Sequence, residues 1–438
     1  MERKIISVIL TVFFSLMGKS AFAYDFMAEN SDGVAIYYNY IKDGKELEVT
    51  AKTAYKYDEY YDDYSGNVII PEEVTYMGRT RKVSRIGDYA FSRCNKLNSV
   101  TIPNSITSIG VLIFKYCNSL ASISVEASNL KYDSRENCNG IIETETNKLI
   151  CGCQNTTIPN SVTSIGESAF SYCNSLTSIV IPNSVINIGD KAFQECRGLS
   201  SVVIGNNVAN IGKCAFFYCT SLTSIDIPNS VTTIGDDLFY GCSNLTTATI
   251  GNGLTDIKDG AFAWCVSLIS VTIPSSITII GSYSFYKCES LVSITIPNSV
   301  TSIENMAFEC CSSLTSVTIP YNVEQIGGRA FAGWDIPEVI SKIENPFDIP
   351  TNTFNDNTFF NATLYVPKGT IEKYKAREGW KKFMFIEEGT PSSIINIDSE
   401  GTNEYRRYSL DGKVVKNPHK GINIIQMNDG KVKKVLAK

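Results

Sequence analysis

The hydrophobic positions of this chain keep time over most of its length. Phe91 and Phe114 stand 23 residues apart. After a longer gap, Phe170, Phe193, Phe216, Phe239, Phe262, Phe285, Phe308 and Phe331 repeat that interval. A Cys follows three residues behind nine of these ten Phe, from Cys94 through Cys117 and Cys173 to Cys311. A fixed period of this size marks a solenoid or array, whose units bury their apolar faces only against their neighbours. In one unit, Leu176, Ile179 and Ile181 read L-x-x-I-x-I. That pattern predicts a short strand with Ile179 and Ile181 inward and Ser178 and Val180 outward. Pro182-Asn183-Ser184 predicts a turn. Val185 and Ile188 predict a second inward-facing segment, and Ala192, Phe193 and Cys196 the return to the core.

The expected fold is therefore β-rich (α/β), a leucine-rich-repeat solenoid of about ten 23-residue coils with N- and C-terminal β caps and a small C-terminal β unit. The units vary. Gly205 and Gly251 replace the turn Pro, while Lys258 and Glu304 stand where other coils have a bend Gly, so that bend does not demand a positive φ. Phe114 to Phe170 spans 56 residues, ten more than two periods. The surplus falls around Cys138–Cys153, and Gly140–Ile150 predicts a β-hairpin protruding from the stack.

At the N-terminus, Arg3 and Lys4 precede the apolar run Ile5–Gly18, and Ala21-Phe22-Ala23 follows, so residues 1–23 read as a signal peptide. The expected plan continues with an N-terminal β cap at 24–83, the solenoid at 84–334 and its long hairpin-bearing repeat at about 120–157. A C-terminal cap follows at 335–388, with Ala362–Pro367 as its last strand and a short helix over Thr370–Trp380. Residues 389–393 read as a linker, and 394–438 as a small β domain turning at Asp411-Gly412 and Asp429-Gly430.

The net charge of −6 argues against a dedicated nucleic-acid binder. An acidic, Tyr-rich stretch at Asp58–Asp63 and a basic one at Asn403–Lys438 read as solvated surface. No later run reaches the ~18 apolar residues of a membrane span. The chain is expected to be exported, at the cell surface or extracellular, and monomeric. The one His, His419, lies in the basic C-terminal stretch, which argues against a Ser/His/Asp or Cys/His nucleophile system, and a single His excludes a two-His metal site. No phosphate-cradling Gly motif follows a strand. The reading is non-catalytic, with no catalytic residue, cofactor or metal. Equivalent Cys in stacked coils lie ~4.8 Å apart with parallel side chains, which suits free thiols rather than disulfides. Cys138 with Cys151 or Cys153, across the hairpin, is the one pair to test for a disulfide.

The outward strand positions form two columns. One runs Ser99, Ser122, Ser178, Ser201, Ser224, Thr247, Ser270, Ser293 and Ser316, and the other Thr101, Ser124, Val180, Val203, Asp226, Thr249, Thr272, Thr295 and Thr318. A third candidate is aromatic: Tyr116, Tyr172, Tyr218, Tyr240, Trp264 and Tyr286 occupy or adjoin the position before the ladder Cys, interrupted by Arg93, Glu195 and Cys310. Solenoid faces bind extended partners, and surface aromatics are common anchors. The expected contacts are Tyr172, Tyr218, Tyr240, Trp264, Tyr286, Ser224, Asp226, Thr249, Thr272 and Thr295, with an extracellular protein or glycan as partner.

The units Ile181-Pro-Asn-Ser-Val…Ile-Gly…Ala-Phe…Cys and Ile296-Pro-Asn-Ser-Val-Thr-Ser-Ile resemble the BspA-like leucine-rich repeat family over about Val83–Ala332. The long unit around Tyr132–Cys138 and the cap with Ala362–Gly369 and Gly379-Trp380 are similar to that family's variant unit and C-terminal cap. The resemblance implies surface-exposed bacterial proteins of the Bacteroides–Prevotella type, implicated in adhesion to host matrix proteins and other cells, with no catalytic residues to carry over. The end, Tyr408-Ser-Leu-Asp-Gly-Lys…Gly430-Lys-Val-Lys-Lys-Val, resembles a short type IX secretion sorting domain, with Asn423 where such domains usually carry an aromatic.

Overall fold

The computed structural model describes residues 23–53 and 63–390, and beyond them the strands Glu404–Tyr408, Gly421–Met427 and Val432–Ala437. Residues 1–22 of the expected signal peptide, most of the acidic stretch, the end of the linker, His419 and the two Asp-Gly turns lie outside the described residues. The chain divides into two compact units, one ending at Glu387 and one starting at Glu388. The second is a three-stranded antiparallel sheet, with Gly421–Met427 paired to both other strands.

The first unit is the solenoid. The L-x-x-I-x-I segments form short parallel strands in register one coil apart. Ser178–Val180 pairs with Ser201–Val203, and Ser224–Asp226 with Thr247–Thr249 and on to Ser270–Thr272. The outward residues are exposed and Ile179, Ile225 and Ala248 buried, as the alternation requires. A second ladder of two-residue strands runs through Ser164–Ile165, Asn187–Ile188, Asn210–Ile211 and Thr233–Ile234. The core is a column of rings. Phe170, Phe193, Phe216, Phe239, Phe262, Phe285 and Phe308 are fully buried, and successive centroids lie 4.9–5.4 Å apart in near-parallel stacks. Offset ring stacking adds to plain area burial, so one side chain satisfies two neighbours at once.

The stack has about 13 turns rather than about ten. The caps explain the difference, because they continue the column instead of merely covering it. Tyr64 meets Phe91 at 4.7 Å with its ring tilted, and its hydroxyl donates to the Thr50 carbonyl at 2.6 Å. Gly66–Ile69 already pairs in parallel with Leu97–Ile102. At the other end Phe354, one further period on, stacks on Phe331 at 5.4 Å. Phe359 and Phe383 then meet Phe354 edge-on and close the column. Asn355 caps the helix Asp356–Asn361, its side chain accepting from the Thr358 N–H at 3.0 Å. Thr363–Val366 is not the last strand of the first unit, since Phe385–Glu388 pairs beside it. The expected helix is shorter than drawn, Ile371–Lys375, with a separate turn at Trp380–Lys382.

The hairpin exists but does not protrude. Gly140–Glu143 and Lys148–Gly152 pair antiparallel, and Lys148–Gly152 joins the second ladder beside Ser164–Ile165. Ile141, Ile142 and Leu149 are fully buried. Apolar residues on both arms make burial in the stack more favourable than exposure. The expected disulfide is also absent: Cys138 and Cys153 are free thiols. They pack into two different core clusters. Cys138 Sγ contacts the Gly140 carbonyl at 3.6 Å and Cys153 Sγ the Asn139 carbonyl at 3.3 Å, so each thiol has its own acceptor.

Candidate functional site

Two surfaces carry the expected contacts. On the strand face, Ser224, Thr247 and Ser270 are in register, as are Asp226, Thr249 and Thr272, and all six are exposed. Among the described residues their side chains have no hydrogen-bond partner within the protein. The same columns are satisfied internally near the N-terminal end, where Ser99 Oγ meets Asn67 Oδ1 at 2.8 Å and Ser124 Oγ meets Thr101 Oγ1 at 3.1 Å. The face is not purely hydroxylic: Val180 and Val203 stand exposed in it. Thr295 is exposed but lies outside any strand, because the segment Leu291–Ile296 does not pair and the ladder stops at Thr272.

The aromatic positions lie along a different edge of the coil, and its geometry begins with the backbone. The residue before each ladder Cys has a left-handed φ in every coil: Arg93, Tyr116, Tyr172, Glu195, Tyr218, Gly241, Trp264, Lys287 and Cys310 all lie between 54° and 72°. Their N–H groups donate to the next coil, Tyr172 to Gln194, Tyr218 to Tyr240 and Trp264 to Tyr286. A non-Gly residue there carries a steric cost that the repeated inter-coil bonds outweigh. Tyr240 and Tyr286 stand one residue earlier, whereas Arg93, Glu195 and Cys310 share the position of Tyr116, Tyr172, Tyr218 and Trp264. They interrupt a chemical type, not a structural column.

The side chains on this edge form separate blocks. The Lys115 ammonium lies 4.0 Å from the Tyr172 ring centre, and Tyr116 meets Tyr172 at 4.7 Å. Phe217 stacks on Tyr240 at 5.0 Å beside Tyr218. Lys287 Nζ sits 3.8 Å over Trp264, whose ring meets Tyr286 edge-on at 6.0 Å, with Tyr283 beyond. Ion pairs separate or end the blocks: Glu195 with Arg197 at 2.7 Å, and Glu309 with Arg329. Tyr172, Tyr218, Tyr240 and Tyr286 are half-buried, while Trp264 is 37% and Tyr283 42% exposed. The cations and Tyr283 were missed from the sequence, although Lys287 holds before Cys288 the position that Trp264 holds before Cys265. A cation over a ring face is attracted to its quadrupole and leaves its other hydrogens free for a ligand.

The ladder thiols serve the scaffold. Cys196, Cys219, Cys242, Cys265, Cys288 and Cys311 each donate to the carbonyl of a Phe one coil back, at 2.9–3.2 Å. Burial pushes the Cys242 thiol up to about 12 and raises its ladder neighbours likewise. Among the described residues no cluster of three or more His, Cys, Asp or Glu is placed to hold a metal ion. No helix among them is long and apolar enough to cross a membrane.

A family profile for the BspA-type leucine-rich repeat region matches in six copies, over residues 67–150, 140–269 and 232–363. The chain belongs to the BspA-type leucine-rich repeat family. Solved structures similar to this family member include a leucine-rich cell surface protein from Faecalibacterium prausnitzii, 24% identical, covering 81% of this chain and 98% of that one, with a TM-score of 0.45. A leucine-rich repeat protein from Bacteroides ovatus is 24% identical over 84% of this chain and 100% of its own, with a TM-score of 0.39. The pneumococcal vaccine antigen PcpA is 16% identical over 84% of this chain and 99% of its own, with a TM-score of 0.45. A search of curated proteins returned no match.

Proposed function

We propose that this BspA-type protein is a non-catalytic recognition protein, exported by residues 1–23 and acting at the cell surface or outside it. It binds host matrix proteins or the macromolecules of other cells through the solenoid. The observation that carries this reading is the block of Trp264, Lys287, Tyr286 and Tyr283, where two rings are well exposed and a cation is already stacked. Partly exposed aromatics with polar tips anchor interfaces with little loss of side-chain entropy. A glycan ligand is the second reading, favoured by the exposed Trp264 face.

Binding of the purified chain to matrix proteins and glycans separates the two. Saturable protein binding that falls at least about tenfold when Tyr240, Trp264 and Tyr286 are changed together to Ala, in a variant that still folds and unfolds cooperatively, is the expected result. Glycan-only binding selects the second reading, and no binding by folded protein overturns both. The unit from Glu388 onward is proposed to serve as a type IX secretion sorting segment. A chain lacking residues 388–438 should then accumulate inside cells that export the full chain, and equal export would refute that role.

A further inference from the structure

The main-chain ladder between coils is interrupted once. On the edge that carries the Phe residues, a regular coil donates three N–H groups to the next coil. Ser168, Phe170 and Tyr172 donate to the carbonyls of Asp190, Ala192 and Gln194, and Tyr89, Phe91 and Arg93 to those of Val111, Ile113 and Lys115. The coil after Phe114 keeps only one such rung. The Gly152 N–H donates to the Ala169 carbonyl, as Phe170 does to Ala192. Gly152 therefore holds the Phe place of that coil. The Phe170 ring covers it so closely that a Cβ at 152 would stand 2.1 Å from Phe170 Cε1.

Both neighbouring coils are left incomplete. Leu112 and Phe114 stand where Tyr89 and Phe91 stand one coil earlier, and Leu112 keeps the left-handed φ of Tyr89, 50° against 57°. Their N–H groups are set to donate forward, yet among the described residues neither has an acceptor. On the other side, the carbonyls of Glu167 and Ser171 hold the places of Asp190 and Gln194, and among the described residues neither receives an N–H. Phe114 and Ser171 are buried, and buried main-chain groups are almost always paired. All four residues line one cleft of about 630 Å³. The volume suits a short segment of chain.

Donors on one wall and acceptors on the other do not suit a simple ion, which satisfies only one kind. A peptide main chain carries both. We propose that this cleft binds an extended peptide segment of a partner, whose carbonyls accept from Leu112 and Phe114 and whose N–H groups donate to Glu167 and Ser171. Main-chain pairing of this kind supplies affinity with little demand on side-chain type. The small residues Gly152, Ser168, Ala169 and Ser171 in the lining let a backbone come close. The site shares no residue with the Trp264 block.

Amide hydrogen exchange of the purified chain tests it. In the free chain the Leu112 and Phe114 amides should exchange at least about tenfold faster than those of Tyr89 and Phe91. Equal protection would mean the ladder is already closed and would overturn the proposal. Saturating capped pentapeptides of Ala, Ser and Thr should slow both amides at least about tenfold. The same peptides methylated at their amide nitrogens cannot donate to Glu167 and Ser171, and should bind about tenfold more weakly. Ser171→Phe should abolish the peptide effect by filling the cleft. That position carries Phe217 two coils on, so the fold accommodates a ring there. No protection by any of the peptides, or protection indifferent to methylation and to Ser171→Phe, overturns the proposal. Protection by cellotetraose in place of the peptides assigns the cleft to a glycan and overturns it likewise.

Discussion

Phe239 and Tyr240 are adjacent in the chain and live under different rules. Phe239 is fully buried between Phe216 and Phe262, at 5.4 and 5.3 Å. Tyr240 is half-buried, stacks on Phe217 at 5.0 Å, and finds Ala263 at the same place in the next coil. Each inner ring is packing for two neighbours, so a different residue would leave two faces unmatched. The outer position runs Ser171, Gln194, Phe217, Tyr240, Ala263, Tyr286 and Glu309. The inner column is uniform because stacking constrains it. The outer position varies because it only has to be compatible with the coil: Ser171, Ala263 and Glu309 are buried there, while Gln194, Phe217, Tyr240 and Tyr286 are half-buried, and variation among the members that reach the surface is where specificity is made.

The comparison can be broken by truncating one ring of each kind. Phe262→Ala removes a ring stacked on both sides and should lower stability by about 3–5 kcal/mol. Phe114→Ala, which loses only the Phe91 partner beside the open cleft, should cost about 1 kcal/mol less. Tyr240→Ala should cost about 1 kcal/mol. Urea unfolding followed by circular dichroism gives the order. Equal losses at Phe262 and Tyr240 would mean that the column does not carry the stability assigned to it.

The column was legible in the sequence because one residue type repeats at one interval, and the strand alternation followed from Ile179 and Ile181. What escaped had no such repeated type. Phe354 sits on the beat, but its coil lacks the Ala-Phe and trailing Cys that mark the others, so the cap read as a separate element. The coil of Gly152 was hidden because the defining residue is the one without a side chain. Its hairpin looked solvent-bound because Glu143, Thr144, Glu145 and Thr146 are polar, while Ile141, Ile142 and Leu149 decide its burial. The left-handed column before the ladder Cys was concealed because it is fixed by inter-coil hydrogen bonds rather than by residue type. Arg, Tyr, Glu, Gly, Trp, Lys and Cys all occupy it. Of the candidate contacts, Trp264 and Tyr286 do meet, whereas Thr295 falls outside the strand face.

The smallest effect sharpens the contrast chemically, because cysteines lie on both surfaces. Cys310 stands at the outer left-handed position and is only half-buried, while Cys242 is in the column with its thiol donating to the Phe216 carbonyl at 3.2 Å. Burial raises both thiols, and Cys242 up to about 12 from an ordinary 9.0. At pH 8 iodoacetamide should therefore modify Cys310 and leave Cys242 untouched until the coil opens, as peptide mapping would show. The raised value also sets a sign. Folded Cys242 keeps its proton at a pH where the unfolded thiol loses it, so its contribution is whole below about 9 and is lost as pH rises through about 12. Between pH 8 and 10 the Cys242→Ala variant should lose roughly 1 kcal/mol less unfolding free energy than the parent chain. A Cys310→Ala variant, whose thiol sits at the more exposed edge, should track the parent more closely. If the two variants respond alike to pH, inner and outer thiols share one environment, and the separation between column and edge does not hold.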